Sequence, residues 1–145
     1  MFKHILFPTD GEAPSVVALA PCLAFARDSG ARLTILHVST PFHVWSTRPD
    51  VLADTPGEYA SHSLTHARAC LEPVVAAARA HGVTYETLTI EHEHPYQAII
   101  EAARTHDCDL VAMASHGRRG VQALLLGSET QKVLTHSHVP VLVFR

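Results

Sequence analysis

The chain has 145 residues, of which 47% are apolar, 17% charged and 6% aromatic. This length and composition predict one globular domain, residues 1–145, and nine prolines with seven glycines are too few for a disordered or repetitive chain. The formal charge of -3 at pH 7 argues against a dedicated nucleic-acid binder.

Short apolar runs alternate with helical patterns along the chain, beginning with a strand at His4–Pro8. Pro14 suits the first turn of a helix, and Gly30 follows its apolar stripe as a stop signal. Residues 33–38 are predicted as the second strand. Residues 39–57 contain three prolines and are predicted as a long surface loop.

The alternation continues through the second half of the chain. A helical pattern at about 58–81 ends at Gly82, and Pro73 is expected to kink or divide that helix because proline lacks the N–H group. The remaining predictions are a strand at 83–91, a helix at 95–106, a strand at 109–114, a helix at 129–137 and a strand at 139–144.

Five strands and four helices in this alternation predict an α/β domain with one parallel sheet. Right-handed crossovers favour a doubly wound sheet with strand order 3-2-1-4-5. In that order the chain reverses direction between strands one and four, and open α/β sheets bind ligands at the carboxyl ends of strands at such a point. The predicted crevice is therefore bordered by residues 9–11 and 114–117.

The segment after the fourth strand carries Gly117, Gly120 and Gly127, and Gly127 with Ser128 opens the last helix. Glycine lets the backbone approach a ligand closely, and the free N–H groups of a helix start attract anions such as phosphate. No lysine precedes Ser128, so the segment is not a P-loop. The alternative is a capping box between Ser128 and Gln131, which would complete the helix start without a ligand.

The same segment resembles the nucleotide signature of the universal stress protein family, which reads G-x-x-G, nine residues, then G-[ST]. Here Gly117, the nine residues 118–126 and Gly127 with Ser128 match it. The opening segment 5–10 and the closing segment 139–143 also fit the family, so the resemblance covers the whole chain. It implies the adenine nucleotide alpha hydrolase-like variant of the predicted fold.

The resemblance also implies where ATP would lie. Adenine would lie near the end of the second strand, the ribose near the first and fourth strands, and the phosphates on the glycine-rich loop. Carried over to this sequence, Val38 would flank adenine, Pro8, Asp10 and Ala114 would line the ribose, and Gly117, Gly127, Ser128, Glu129 and Thr130 would contact the phosphates. Arg118 and Arg119 would be charge partners of the phosphates, and Thr9, Met113 and His116 complete the cofactor-binding set.

Three of these residues carry alternatives or departures. Ala114 replaces the signature's first glycine, which is expected to be tolerated if its φ stays negative. Glu129 suits the start of a helix but repels a phosphate, so we expect Mg²⁺ or Mn²⁺ to bridge the two. Asp10 would bind a ribose hydroxyl or, alternatively, cap the turn that follows it.

The resemblance implies a cytoplasmic, nucleotide-dependent stress-response or signalling factor, with slow ATP hydrolysis at most and no residue assigned to catalysis. The alternatives are a nucleotide-free dimeric interaction module and an adenine nucleotide alpha-hydrolase-type enzyme. The last strand, from Val139 to Phe144, is expected to be a sheet edge and to pair with its symmetry mate in a homodimer, as it does in the family. Nucleic-acid and membrane partners are not expected, since no apolar run approaches the roughly 20 residues of a membrane span.

Histidine is the most unusual feature of the composition, since its twelve residues exceed the eleven lysines and arginines. His62, His66 and Cys70 recur every four residues and so share one face of a predicted helix. Structural zinc usually has four ligands, and no second cluster with fixed spacing is present in the sequence, so exposed imidazoles are favoured and no metal site is assigned. Below about pH 6 many imidazoles would be protonated, which makes acid sensing a hypothesis.

The three cysteines, which are odd in number and contain no C-x-x-C pair, are predicted to be buried thiols of a reducing cytoplasm.

Overall fold

The computed structural model describes residues 1–41, 55–115 and 126–145. Within these ranges five strands alternate with four α-helices, as the sequence predicts. The predicted loop at 39–57 falls largely outside the described residues. The elements in chain order are β1 (His4–Pro8), α1 (Ala13–Ser29), β2 (Arg32–Ser39), α2 (Pro56–Ala80), β3 (Tyr85–Glu91), α3 (Pro95–Thr105), β4 (Leu110–Ala114), α4 (Ser128–His136) and β5 (Val141–Phe144).

The strands form one sheet in the order β3-β2-β1-β4-β5, and every neighbouring pair is parallel. This confirms the predicted doubly wound order, with the reversal of direction between β1 and β4. In the register, Leu6 of β1 lies opposite Thr34 of β2 and Val111 of β4. The carboxyl ends of these three central strands therefore meet at one edge of the sheet.

Helices cover both faces of the sheet, which explains why the central strands are apolar at nearly every position. Along β1, Ile5 and Phe7 pack in one core cluster with residues of α1 and α2. Leu6 points to the opposite face and packs in a second cluster with residues of α3 and α4. A strand buried on both sides cannot alternate apolar with polar residues, so its sequence becomes a short continuous apolar run.

Glycines end α1 and α2 where the sequence predicts a stop. Gly30 adopts φ 68°, and its N–H donates to the carbonyl of Arg27. Gly82 also has φ 68°, and its N–H donates to the carbonyl of Arg79. This left-handed conformation is costly for residues with a Cβ atom, so glycine fixes both helix ends.

Helix α2 runs unbroken through Pro73, so the expected division of the helix at this residue is wrong. Thr55 and Glu58 form a reciprocal capping box at its start. Its buried stripe continues on both sides of the proline, and this packing holds the two halves together; the stripe consists of Ala67, Cys70, Val74 and Ala78. Although α2 has 25 residues, neither it nor another helix of the described ranges is long and apolar enough to cross a membrane.

Candidate functional site

The predicted crevice lies where the central strands end. The backbone N–H of Thr9, the first residue after β1, donates to the carbonyl of Leu36 in β2 at 2.9 Å. On the other side of β1, the N–H of Ser115, just after β4, donates to Phe144 of β5 at 2.8 Å. The residues that follow β1 and β4 are thus held at the sheet edge by backbone hydrogen bonds, and both Thr9 and Ser115 are buried.

Asp10 caps the turn into α1 with one oxygen of its carboxylate. Oδ1 accepts a hydrogen bond from the backbone N–H of Glu12 at 3.0 Å and from Oγ of Ser15 at 2.8 Å. The capping role weighed in the sequence is therefore real. Within the described residues both of these bonds go to Oδ1, so Oδ2 remains the oxygen that would meet a ribose hydroxyl.

The start of α4 is fixed directly onto the end of β4. The N–H of Gly127 donates to the carbonyl of Ser115 at 2.7 Å, and Oγ1 of Thr130 donates to the carbonyl of Ala114 at 3.1 Å. Thr130 is only 2% exposed, so its hydroxyl anchors the helix from inside the protein. The dipole of α4 therefore begins at the crevice edge, beside the end of β4.

The capping box expected between Ser128 and Gln131 is not formed. The N-cap residue of α4 is Gly127, which has no side chain, and Ser128 is the first residue of the helix. Gln131 instead makes the ordinary helical bond, from its N–H to the carbonyl of Gly127 at 3.0 Å. Among residues 1–41, 55–115 and 126–145, no side chain caps the first turn of α4, and N–H groups at such a helix start attract anions.

Glu129 is directed to a neighbouring helix. Its Oε2 accepts from the backbone N–H of Tyr96, in the first turn of α3, at 3.0 Å, and its Oε1 lies 2.9 Å from Nζ of Lys132. His94, the N-cap of α3, makes no capping bond with its own side chain. Glu129 thus supplies a negative charge where the start of α3 attracts one.

Four further predicted site residues lie at or near this edge. Pro8 and Val38 are half-buried at the ends of β1 and β2, and Met113 is buried at the end of β4 among residues that pack on α3 and α4. Ala114 closes β4 with a negative φ, as its place in the signature requires. His116, Gly117, Arg118 and Arg119 lie outside the described residues.

A shallow cleft of about 400 Å³ lies elsewhere, between α3 and α4. Its walls include Tyr96, Ile100, Arg104 and His136. None of its lining residues belongs to the predicted nucleotide site, so the crevice at the sheet edge remains the candidate.

The fold is a doubly wound α/β domain, and the candidate site lies at the switch point between β1 and β4. The model of the universal stress protein family matches residues 1–145. The chain belongs to the universal stress protein family, which confirms the resemblance found in the sequence.

Relatives and solved structures agree with this membership. A universal stress protein of Thermus aquaticus is 34% identical over 146 residues, with all of both chains covered. The solved structure of hypothetical protein MJ0577, of Methanocaldococcus jannaschii, has a TM-score of 0.82 and 26% identity, and the match covers 99% of this chain and 95% of that one.

Two more distant structures share the fold and were solved with nucleotides. A universal stress protein in complex with cAMP has a TM-score of 0.70 and 22% identity, covering 99% of this chain and 97% of that one. The universal stress protein from Archaeoglobus fulgidus in complex with dAMP has a TM-score of 0.71 and 16% identity, covering 100% and 98%.

Proposed function

We propose that the chain binds an adenine nucleotide in the crevice at the ends of β1, β2 and β4, and that ATP with Mg²⁺ or Mn²⁺ is the cellular ligand. The observation that carries the proposal is the start of α4. Its N-cap is a glycine whose N–H donates to the carbonyl of Ser115, just after β4, at 2.7 Å, and among the described residues no side chain caps its first turn. Uncapped N–H groups at a helix start bind phosphate.

Other groups at the edge suit the rest of a nucleotide. Oδ2 of Asp10 is an acceptor for a ribose hydroxyl, and the half-buried Val38 offers an apolar surface for a base. The cAMP and dAMP complexes of two family members support the adenine part of the proposal. Because Glu129 is engaged by Tyr96 and Lys132, a bound metal ion would serve mainly to neutralise the phosphates.

The cellular role that we propose is that of a cytoplasmic, nucleotide-dependent stress-response or signalling factor. The crevice residues bind and orient in this proposal, and none is assigned a catalytic role. ATP hydrolysis, if present, is expected to be slow.

We also propose a homodimer through β5, which lies at one edge of the sheet. The carbonyl groups of Pro140 and Phe144 face β4 and accept hydrogen bonds from the N–H groups of Val111 and Ser115. Because backbone groups alternate along a strand, the N–H and C=O groups of Val141 and Val143 face the outer edge. Light scattering at micromolar concentration should show a dimer, and a monomer would contradict this pairing.

A substitution at the start of α4 tests the nucleotide proposal. Gly127→Asp places a capping carboxylate where the phosphate is expected, and Asp is a better N-cap than Gly by a few tenths of a kcal/mol. We therefore expect an unchanged or slightly higher melting temperature together with a loss of ATP binding in calorimetry, measured with Mg²⁺ and with Mn²⁺.

Gly127→Asn is the matched control, because it offers a neutral cap. It should weaken ATP binding less than Gly127→Asp does. Mass spectrometry of ligand released from denatured wild-type protein should identify ATP. An AMP product would favour the adenine nucleotide alpha-hydrolase alternative. No bound nucleotide and no heat with either metal would favour the nucleotide-free interaction module.

A further inference from the structure

Three metal-binding side chains converge beside β1. His37 comes from β2, and His66 and Cys70 come from successive turns of α2. One ring nitrogen of each histidine and Sγ of Cys70 all lie within 4.8 Å of one another. His37 and Cys70 are 4% and 5% exposed, whereas His66 is exposed, so the cluster is buried on one side and open on the other.

The separation of one pair of donor atoms suits a tetrahedral zinc ion. Sγ of Cys70 lies 3.5 Å from Nε2 of His66. In tetrahedral zinc sites, bonds of about 2.3 Å to sulfur and about 2.0 Å to nitrogen place the two ligand atoms about 3.5 Å apart. This pair therefore already stands at the separation that a shared Zn²⁺ requires.

A backbone carbonyl sets the tautomer of the third side chain, His37. Nδ1 of His37 lies 3.3 Å from the carbonyl oxygen of Thr9. A carbonyl can only accept, so the proton of the neutral ring is on Nδ1 and the lone pair is on Nε2. Metal-binding histidines commonly donate their other N–H to a backbone carbonyl in this way, which fixes the orientation of the ring.

Cys70 packs directly against the turn between β1 and α1. Its Sγ donates weakly to the carbonyl of Asp10 at 3.3 Å. Gly11 lies directly against it, and a Cβ atom at Gly11 would stand 2.7 Å from Sγ. A metal ion would displace the thiol proton and hold the thiolate in the same place.

We propose that His37, His66 and Cys70 bind one Zn²⁺ ion, with a fourth position open toward the exposed His66. Two imidazoles and a thiolate are ligands that zinc prefers, whereas Mg²⁺ prefers oxygen. Three protein ligands leave one coordination position for water or a small ligand. The site shares no side chain with the start of α4, although it contacts the backbone carbonyls of Thr9 and Asp10 at the same crevice.

Zinc alone, followed by cobalt as a spectroscopic substitute, tests the site. The full-length wild-type protein should bind one equivalent of Zn²⁺ in calorimetry and melt at a higher temperature with zinc than without it. Co²⁺ should give the near-ultraviolet charge-transfer band of a thiolate ligand and the strong visible bands of tetrahedral cobalt. His66→Ala, at an exposed position, should lose more than about 100-fold in zinc affinity while its circular dichroism stays unchanged.

Matched variants separate this cluster from the other histidines and thiols. Cys70→Ser should abolish the thiolate band, and His62→Ala and Cys108→Ser should leave both band and affinity unchanged. His62 is exposed one turn before His66, and burial raises the pKa of the Cys108 thiol to about 11. Gly127→Asp should retain zinc, which separates this test from that of the nucleotide.

A wild-type protein that binds no stoichiometric zinc would overturn the proposal. A cobalt complex without the thiolate band, or equal losses of affinity in His62→Ala and His66→Ala, would also overturn it.

Discussion

The two sides of the crevice bring their chemical groups together in different ways. On the side of β4 and α4 the groups belong to the backbone: the N–H of Gly127 donates to the carbonyl of Ser115, and among the described residues no side chain caps the helix start at the proposed nucleotide site. On the side of β2 and α2, side-chain nitrogen and sulfur atoms converge, with His37 and Cys70 both bonded to the turn after β1. Backbone sites suit anions and side-chain N and S sites suit soft metals, so one sheet edge offers two kinds of ligand chemistry.

The largest expected change in folding stability follows substitution of Gly11, beside the proposed metal site. This residue has φ +76°, and a Cβ atom would meet Sγ of Cys70 at 2.7 Å. Gly11→Ala should therefore lower the free energy of unfolding by about 2–4 kcal/mol, from left-handed strain and close contact together. Urea denaturation measures the loss.

Gly30→Ala is the matched control, since Gly30 has φ +68° with no atom within 4 Å of the added Cβ. It should cost only about 1 kcal/mol, from strain alone. In a Cys70→Ala background, Gly11→Ala should cost less than in the wild type, because the sulfur is gone. Equal costs at the two glycines would show that the contact with Cys70 has no energetic weight.

A smaller loss of folding stability is expected from substitution of Glu129, beside the proposed nucleotide site. Glu129→Gln removes the charge that serves the start of α3 and pairs with Lys132, so we expect a loss of about 0.5–1 kcal/mol of stability. Glu101→Gln is the control, because the exposed Glu101 pairs only at 4.0 Å with Arg104, and it should cost almost nothing.

The same variant sharpens the nucleotide proposal. Because the carboxylate of Glu129 is directed to the N–H of Tyr96 at the start of α3, calorimetry should show the ATP affinity of Glu129→Gln and its dependence on Mg²⁺ close to those of the wild type. A lost dependence on Mg²⁺ would show that Glu129 does hold the metal ion, as the sequence suggested.

The sequence predicts the nucleotide side better than the metal-binding side, and the reason is distance along the chain. Gly127 and Ser128 are adjacent, so a local pattern reveals a helix start near the end of a strand. His37 lies on a different element from His66 and Cys70, and the pairing of α2 with β2 is set by the fold. A spacing rule within one helix finds two of these ligands, and only the sheet order supplies the third.

Contacts between elements also explain two features that the local sequence does not reveal. Glu129 has the residue type of an ordinary first-turn acid, and nothing local reveals that Tyr96 of α3 lies within 3.0 Å of it. Pro73 has the local signature of a break, but packing of Cys70 and Val74 keeps α2 whole. The strand order itself could be predicted, because right-handed crossovers leave few ways to arrange five parallel strands.

The smallest expected effect is a change in the pH dependence of stability. It concerns His4, at the amino end of the central strand β1. Its Nε2 lies 2.7 Å from Oγ1 of Thr34, and that hydroxyl donates to Glu86, so Nε2 carries the proton. Nδ1 is buried without a hydrogen bond among the described residues. Burial, followed by the charge of Arg32, lowers the pKa of His4 despite the opposing attraction of Glu86 and Asp109.

A lowered pKa makes the folded protein less stable in mild acid. Above about pH 6.5 the ring is neutral in both states, and below it the unfolded chain takes up a proton that the folded state binds less readily. The melting temperature should therefore fall between pH 7.5 and 5.5, and less steeply in His4→Gln. Glu86 adds to the loss only in a lower window: the hydrogen bond from Thr34 lowers its pKa, so its contribution disappears as pH falls from about 4.5.

The exposed His138 provides the control for this prediction. His138→Gln should keep the wild-type dependence of melting temperature on pH, because that ring meets solvent in both states. If His4→Gln and the wild type show the same slope, His4 does not set the acid response.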